Sequence, residues 1–171
     1  MIRILKKASD GVHLVSKWML FAYVFSVTIL AIIGVIFRAA GNSLSWNEEL
    51  MRWILIGIGY IGAAVALKER SHIGIEFFIT RMGKGFREVA IIIGYLTIIL
   101  FLVVVLIYGF KAALMAQRQY GSILRVQMIW VKLNLPLGAL MMLVHMTYFT
   151  AGLLTEKGDN REYLLSATHD F

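Results

Sequence analysis

The sequence contains no cysteine and a single proline in 171 residues, and only 16% of its residues are charged. Without cysteine there are no disulfides, no thiol nucleophile and no thiolate metal site. Soluble domains carry about a quarter charged and about half apolar residues, whereas 60% of this chain is apolar. A soluble domain of this size has too little interior to hide so much apolar surface. We therefore predict that the excess faces lipid.

Motifs of enzymes and of stand-alone carriers are also missing. The chain has no Walker loop, no HExxH motif, no nucleophile elbow and no acidic residue in the middle of an apolar run. Its one proline, Pro136, opens an apolar run and does not break one, unlike the broken helices of carriers. The net charge of +7 comes from basic residues scattered between apolar runs, which favours topology and lipid contacts over nucleic acid. We expect no enzymatic activity, no cofactor and no metal.

Four apolar runs predict an all-α membrane protein, with four transmembrane helices and short amphipathic interfacial helices in a single domain, 1–171. The predicted spans are about 18–37, 46–67, 89–110 and 135–154. The interfacial helices are expected in the second loop, near 75–89, and along the outer surface in the third loop, near 123–130. Lys and Arg number eleven in the tails and second loop against six in the other two loops. The positive-inside rule therefore predicts that both termini are cytoplasmic.

The second span is short, because its charge-free part, Trp53–Leu67, has 15 residues. At about 1.5 Å per residue this covers about 22 Å, less than a hydrocarbon core of about 30 Å. The helix must therefore begin earlier. This extension draws a charged cluster toward the bilayer, consisting of Trp46, Glu48, Glu49 and Arg52.

This charged cluster predicts local structure and leaves two functional interpretations open. Ser45 with Glu48 three residues later fits a capping box. Glu48 and Arg52 are one turn apart and are expected to pair. One interpretation is a polar anchor onto a partner helix or onto a partner's ion pathway, because charges near a bilayer are costly and need partners. The other is an interfacial salt bridge flanked by tryptophans.

The second span also contains small residues four positions apart. Gly59 is followed by Ala63, and Gly62 by Ala66. This spacing lets helix backbones approach closely in a membrane. The partner helix belongs either to this chain or to another chain, and the sequence leaves both open.

The histidines are the remaining candidates for chemistry. His145 lies ten residues into the fourth span and is a candidate haem ligand or proton carrier. An interhelical hydrogen bond is the favoured interpretation for a lone histidine in a span. His13 precedes the first span and His72 follows the second, so we expect both at other depths. That expectation argues against a bis-histidine haem within this chain.

Several short motifs together resemble one known family. They are Phe37-Arg38, Ser45-Trp46, Glu48-Glu49-Leu50 with Arg52, Gly62-Ala63-Ala64-Val65-Ala66, Lys68-Glu69-Arg70-Ser71-His72-Ile73 and Leu135-Pro136-Leu137-Gly138. In this combination the chain resembles, over nearly its whole length, the small integral-membrane (Q) subunit of tripartite ATP-independent periplasmic (TRAP) transporters. Gln127 departs from the pattern, since the resemblance predicts a proline there.

The resemblance implies a function that depends on partners. It implies a multi-pass protein of the bacterial inner membrane, in contact with membrane lipid, that docks on a large membrane subunit holding the substrate and sodium sites. A soluble periplasmic binding protein would deliver an acidic substrate, such as a dicarboxylate or sialic acid. The residues by themselves leave two alternatives open. One is the membrane anchor of a redox complex, with His145 as one ligand of a haem completed by another chain, and the other is a small stand-alone exporter.

Overall fold

The structure, a computed structural model, describes residues 2–69 and 84–155, and this part is helical apart from short connections. The long helices are α1 (Ile2–Ala39), α2 (Ser45–Lys68), α3 (Lys84–Met115) and α5 (Asn134–Thr155), and a 3₁₀ turn (Ala116–Arg118) and a short helix α4 (Ile129–Lys132) lie between the last two. Each long helix contains a stretch apolar and long enough to cross a membrane. The chain is therefore an all-α membrane protein, as its composition predicts.

The first helix extends well beyond the apolar run, 18–37, from which it was predicted. α1 has 38 residues and a length of about 57 Å, which exceeds the thickness of a bilayer. Its first turns, before residue 18, expose both charged and apolar side chains, such as Lys6 and Leu14, and pack the small side chains of Ser9 and Ser16 inward. Helix bounds thus do not mark the bilayer, and the four spans stay predictions.

α5 is the central helix of the bundle, since it packs on α1, α2 and α3. In the last candidate span, 39% of the most apolar stretch of 18 residues is buried. The corresponding stretch of α1 is 0% buried. One apolar cluster joins α3 to α5 around Leu102 and Met146, and a second joins α1, α2 and α5 around Ile61 and Met141. The outer faces of α1 and α3 are apolar and exposed, as expected of helices that face lipid or a partner chain.

α2 and α5 approach each other closely at Gly138. A Cβ at Gly138 would come within 2.8 Å of the backbone oxygen of Tyr60. Only glycine fits there, because the neighbouring atom belongs to backbone and cannot rotate away. Small residues let membrane helices gain dispersion contacts over their whole length, and this is the main attraction between helices surrounded by lipid.

The beginning of α2 differs from the capping box predicted for Ser45. Ser45 is already the first residue of the helix, and the preceding Leu44 makes no side-chain capping bond. The backbone N–H of Asn47 instead donates to the carbonyl of Leu44 at 3.1 Å. The prediction of Ser45 as a cap was therefore wrong. Glu48 is directed elsewhere, as described below.

The connection between α3 and α4 folds back on itself. α3 continues to Met115, beyond the predicted span of 89–110, and the chain then forms an isolated antiparallel bridge between Tyr120 and Gln127. The amides of Gly121 and Met128 make the bonds that close it, at 2.9 Å each. The amide of Gln127 is not used, so the bridge does not depend on whether glutamine or the expected proline stands there. The apolar residues near 123–130 thus form a folded-back loop and only a short helix.

Part of the second loop lies outside the described residues. The interfacial helix expected near 75–89 falls mostly there, as does His72. These two expectations stay predictions.

Candidate functional site

Glu49 is the charged residue that the fold buries most completely at the end of the bundle where α2 begins. Its carboxylate accepts hydrogen bonds from the backbone N–H groups of Ser122 at 2.7 Å, Ile123 at 3.0 Å and Leu124 at 2.8 Å. The residue is 8% exposed, so these bonds replace water. Consecutive backbone amides that converge in this way form an anion-binding concavity, and here the protein supplies the anion itself.

We refer to Glu49 with the amides of residues 122–124 as the Glu49 clasp. Gly121 precedes it, and a Cβ at that position would lie 2.5 Å from a ring carbon of Trp53 and 2.9 Å from Oε1 of Glu49. The loop therefore rests directly on α2. Tyr120, Ile123 and Val126 stay exposed on its outer surface. The clasp fixes this exposed apolar loop to a rigid helix.

Glu48 has a different partner from the one that its spacing predicted. Its Oε1 lies 2.6 Å from Nη2 of Arg38, the arginine that closes α1, and both side chains are largely exposed. The predicted pairing of Glu48 with Arg52 was therefore wrong. Arg38 reaches Glu48 because α1 and α2 form an antiparallel pair joined by a short turn at 40–44. An exposed pair of this kind contributes about 1 kcal/mol or less.

Arg52 has neither an ion pair nor a hydrogen bond to any described residue. It is exposed on α2, while Glu48 is taken by Arg38 and Glu49 by the loop amides. Removal of Arg52 therefore breaks no contact ion pair of either glutamate. Its charge interacts electrostatically with the Glu49 carboxylate, without direct contact.

Trp46 and Asn47 show how the start of α2 is held on α1. Trp46 is 39% exposed, as expected of an interfacial tryptophan, whereas Asn47 is 1% exposed. The Asn47 amide donates to the carbonyl of Leu30 at 2.9 Å. Gly34 makes room for it, since a Cβ there would lie 2.6 Å from the amide nitrogen. Asn47 belongs to the sequence cluster 46–52, but its burial could not be predicted, because an asparagine beside charged residues resembles a surface residue.

The small residues predicted to pack helices divide between two faces. Gly59 and Ala63 are exposed, and a Cβ at Gly59 would meet nothing within 4 Å. Gly62 and Ala66 are partly buried, and a Cβ at Gly62 would lie 3.7 Å from Leu20 of α1. Within the described chain, Gly62 thus lies on an internal contact, whereas Gly59 and Ala63 do not.

A buried polar network occupies the end of the bundle where α2 finishes. Lys68 donates to Oγ of Ser9 at 2.8 Å and pairs with Asp10 at 2.9 Å. Ser9 Oγ in turn lies 2.8 Å from Nδ1 of His145, so the network joins α1, α2 and α5. The ring of Tyr148 lies 4.7 Å from the ammonium group. A lysine only 14% exposed is stabilised by such partners.

Sequence reasoning missed Ser9 and Lys68, although one signal was available. Lys68 closes a charge-free run too short for a membrane, so this lysine was a candidate for burial. Its partner Ser9 lies fifty-nine residues away on α1. A contact between residues so far apart in the chain cannot be predicted from a local sequence pattern. Glu69, next along the chain, pairs with Lys17 at 2.7 Å.

His13 and His145 lie side by side, which corrects the expectation that they occupy different depths. Their ring centroids are 6.1 Å apart in an edge arrangement. His145 is fully buried and one of its nitrogens is bound to Ser9. A haem between the two rings needs a porphyrin between α1 and α5, which are in direct contact. The geometry therefore does not favour a bis-histidine haem within this chain, although the argument from depth was wrong.

Comparison with known proteins agrees with the motifs. The sequence profile of the family described as tripartite ATP-independent periplasmic transporters, DctQ component, matches residues 27–156. An isethionate TRAP transporter permease protein, DctMQ, of Oleidesulfovibrio alaskensis is 33% identical over 66 residues, which are 39% of this chain and 10% of that protein. A sialic acid TRAP transporter small permease protein, SiaQ, of Vibrio cholerae is 24% identical over 97 residues, 57% of this chain and 56% of that protein.

The matched region contains the parts that the structure singles out. Residues 27–156 include the Glu49 clasp, the Glu48–Arg38 pair, the exposed small residues of α2, and His145. Ser9 and Asp10 precede it. This multi-pass membrane protein therefore belongs to the family of the DctQ component, the small permease subunit of TRAP transporters.

Proposed function

We propose that this chain supports the large membrane subunit of a sodium-driven TRAP transporter and helps to receive its soluble substrate-binding protein. The family match over residues 27–156 carries the proposal. The two relatives are named for sialic acid and isethionate, which are both anions at neutral pH. An acidic organic substrate is therefore the proposed class, and membrane lipid surrounds the remaining surface.

The substrate and ion sites belong to the large subunit in this proposal. An anion carrier needs positive or dipolar groups near the bilayer midplane, commonly at helix breaks. Three predicted spans, 18–37, 89–110 and 135–154, contain no charged residue, and the charges of the second lie at its start, before Trp53. Glu49 and Lys68, the charged groups that the described chain buries, are bound within it, in the clasp and in the Lys68 network. Such fixed contacts suit a rigid support.

The loop at residues 118–130 is the proposed contact for the binding protein. It is held rigidly by the Glu49 clasp and exposes Tyr120, Ile123 and Val126. Arg118 and Arg125 stand exposed beside these apolar groups. A basic and apolar surface suits a partner with a complementary acidic rim. The proposed inner-membrane topology, with cytoplasmic termini, places this loop on the periplasmic side.

Reconstitution in three forms tests the proposed function. Liposomes receive the large subunit alone, this chain alone, or both, each with the binding protein and an inward sodium gradient. Uptake is expected only with both subunits, because the large subunit lacks its support when alone and this chain has no carrier site. Strong uptake by the large subunit alone, or substrate binding by this chain alone, would contradict the assignment.

Cysteine labelling tests the proposed topology in this naturally cysteine-free chain. Ser9 is unsuitable as a labelling position because it is fully buried. Ala8 and Gln117 are both exposed, the first in α1 and the second in the 3₁₀ turn. An impermeant maleimide added to intact spheroplasts is expected to label Gln117→Cys and not Ala8→Cys. The reverse result would show that the termini are outside.

A further inference from the structure

The face of α2 that carries Arg52 has no partner within the described chain. Arg52, Leu55, Gly59 and Ala63 follow at helical spacing, with Ile56 beside them. All five are exposed, Leu55 at 56%. The opposite face is packed, since Gly57, Ile61 and Ala64 are buried against α1 and α5. We call the exposed residues the Arg52 face.

The charge at one end of this face is what singles it out from other apolar surface. Arg38 takes Glu48 and the loop amides take Glu49, so Arg52 remains without an ion pair among the described residues. From Arg52 to Lys68 the helix measures about 24 Å, less than a hydrocarbon core of about 30 Å. Lys68 is compensated inside the chain by Asp10 and Ser9. Arg52, at the other end of α2, interacts with Glu49 electrostatically but has no contact ion pair among the described residues.

The rest of the face admits a closely packed helix. Nothing lies within 4 Å of a Cβ at Gly59, and Ala63 is exposed one turn further on. Lipid chains gain little from such a groove, whereas a second helix gains close contact along it. Leu55 and Ile56 flank the groove with apolar side chains. The face thus offers one charge at its end and apolar contact along its length.

We propose that the Arg52 face binds a transmembrane helix of the large subunit. This partner helix carries an acidic side chain near the one of its ends that lies beside Arg52. This inference rests on the proposed function and names the surface through which it operates. Side chains on a helix tilt toward its N-terminus, so the guanidinium reaches toward the level of Ser45. The acidic partner therefore lies near the membrane interface. A carboxylate accepts two N–H groups of the guanidinium in bidentate geometry, as a phosphate also does.

Co-purification of the large subunit with a tagged form of this chain tests the proposal. Gly59→Leu is expected to reduce the recovered large subunit about tenfold or more, because the side chain fills the groove that the partner helix needs. Arg52→Gln is expected to reduce it several-fold, and Arg52→Lys to retain more than Arg52→Gln. Gly94→Leu is the matched control on α3, where a Cβ also meets nothing within 4 Å, and it is expected to recover the wild-type amount.

Folding and lipid effects are separated by two further measurements. The isolated Gly59→Leu chain is expected to melt at the wild-type temperature in detergent, since no described residue contacts that position. In Ala63→Cys, the rate of reaction with maleimide in detergent is expected to fall about tenfold when the large subunit is added, because a closely packed helix covers the thiol. At Ile93→Cys, on the exposed side of α3, it is expected to stay unchanged.

The outcomes distinguish this inference from the proposed function beneath it. Wild-type recovery of the large subunit by Gly59→Leu and Arg52→Gln would overturn the Arg52 face while leaving the support role intact. Equal loss in Gly94→Leu, or no protection at Ala63→Cys, would also overturn it and leave lipid as the occupant. Failure of the wild-type chain to bind any large subunit would instead contradict the proposed function.

Discussion

Replacing Glu49 with alanine is expected to destabilise the protein by about 2–4 kcal/mol, whereas replacing Glu48 is expected to cost about 1 kcal/mol or less. The two residues are adjacent, chemically identical and lie on the same helix. Glu49 is buried beneath three amides, while Glu48 forms an exposed ion pair with Arg38. The comparison therefore isolates the contribution to the free energy of unfolding of burial and of the hydrogen bonds that the carboxylate accepts from backbone amides.

The large cost at Glu49 arises from the amides that lose their acceptor. Alanine leaves the N–H groups of Ser122, Ile123 and Leu124 without the carboxylate that accepts from all three. Glutamine keeps one acceptor oxygen and is expected to fall between alanine and the wild type. The exposed loop should then detach from α2, because the clasp is its main polar link to the helix.

Thermal unfolding in detergent and limited trypsin digestion measure these effects. Arg125 lies in the loop and has a positive φ of 50°, so the folded loop presents a conformation that a protease does not accept readily. Cleavage after Arg125 is expected to accelerate in Glu49→Ala and not in Glu48→Ala. Equal melting temperatures and equal cleavage in the two variants would show that the clasp does not hold the loop.

Gly138→Ala is expected to destabilise the bundle by about 1–3 kcal/mol, because the new methyl group overpacks a helix contact. The Cβ would lie 2.8 Å from the backbone oxygen of Tyr60 and 3.0 Å from its carbonyl carbon. Backbone atoms cannot rotate aside, so α2 and α5 must separate. The central position of α5 spreads this change to the contacts with α1 and α3.

Gly94→Ala provides the matched control for the same substitution. Nothing lies within 4 Å of its Cβ, and alanine is the better helix former by about 1 kcal/mol. This variant is expected to be as stable as the wild type or slightly more stable. Melting temperatures of the two variants in the same detergent test whether Gly138→Ala lowers the stability and Gly94→Ala does not. A Gly138→Ala protein as stable as Gly94→Ala would mean that α2 and α5 are less closely packed than the structure shows.

The helices and the family could be predicted from the sequence, whereas most side-chain pairings could not. The length of an apolar run is a local property of the sequence, so transmembrane helices can be predicted by counting consecutive apolar residues. The pairing of Glu48 with Arg52 was a local expectation too, yet an arginine on the neighbouring helix competes for the same carboxylate. A local rule gives the set of available partners, and the arrangement of helices selects among them.

The histidines illustrate the same limit. His13 and His145 are separated by more than a hundred residues, and their distances from the apolar runs suggested different depths. α1 begins at Ile2 and carries His13 beside His145, because its polar first turns pack on α5 through Ser9. The sequence shows where lipid-compatible residues lie, but the register between helices follows from polar contacts that only the folded chain contains.

The sequence alone thus determined that this is a helical membrane protein of the TRAP small-subunit family, because composition, run length and motifs are properties of the chain itself. Only the tertiary structure decided which of two adjacent glutamates is buried. Successive residues on a helix point about 100° apart, so one of them faces the folded-back loop and the other faces Arg38. The same rotation leaves Arg52 on an open face. Which neighbour fills each direction is fixed by packing between distant segments, and local sequence does not encode that choice.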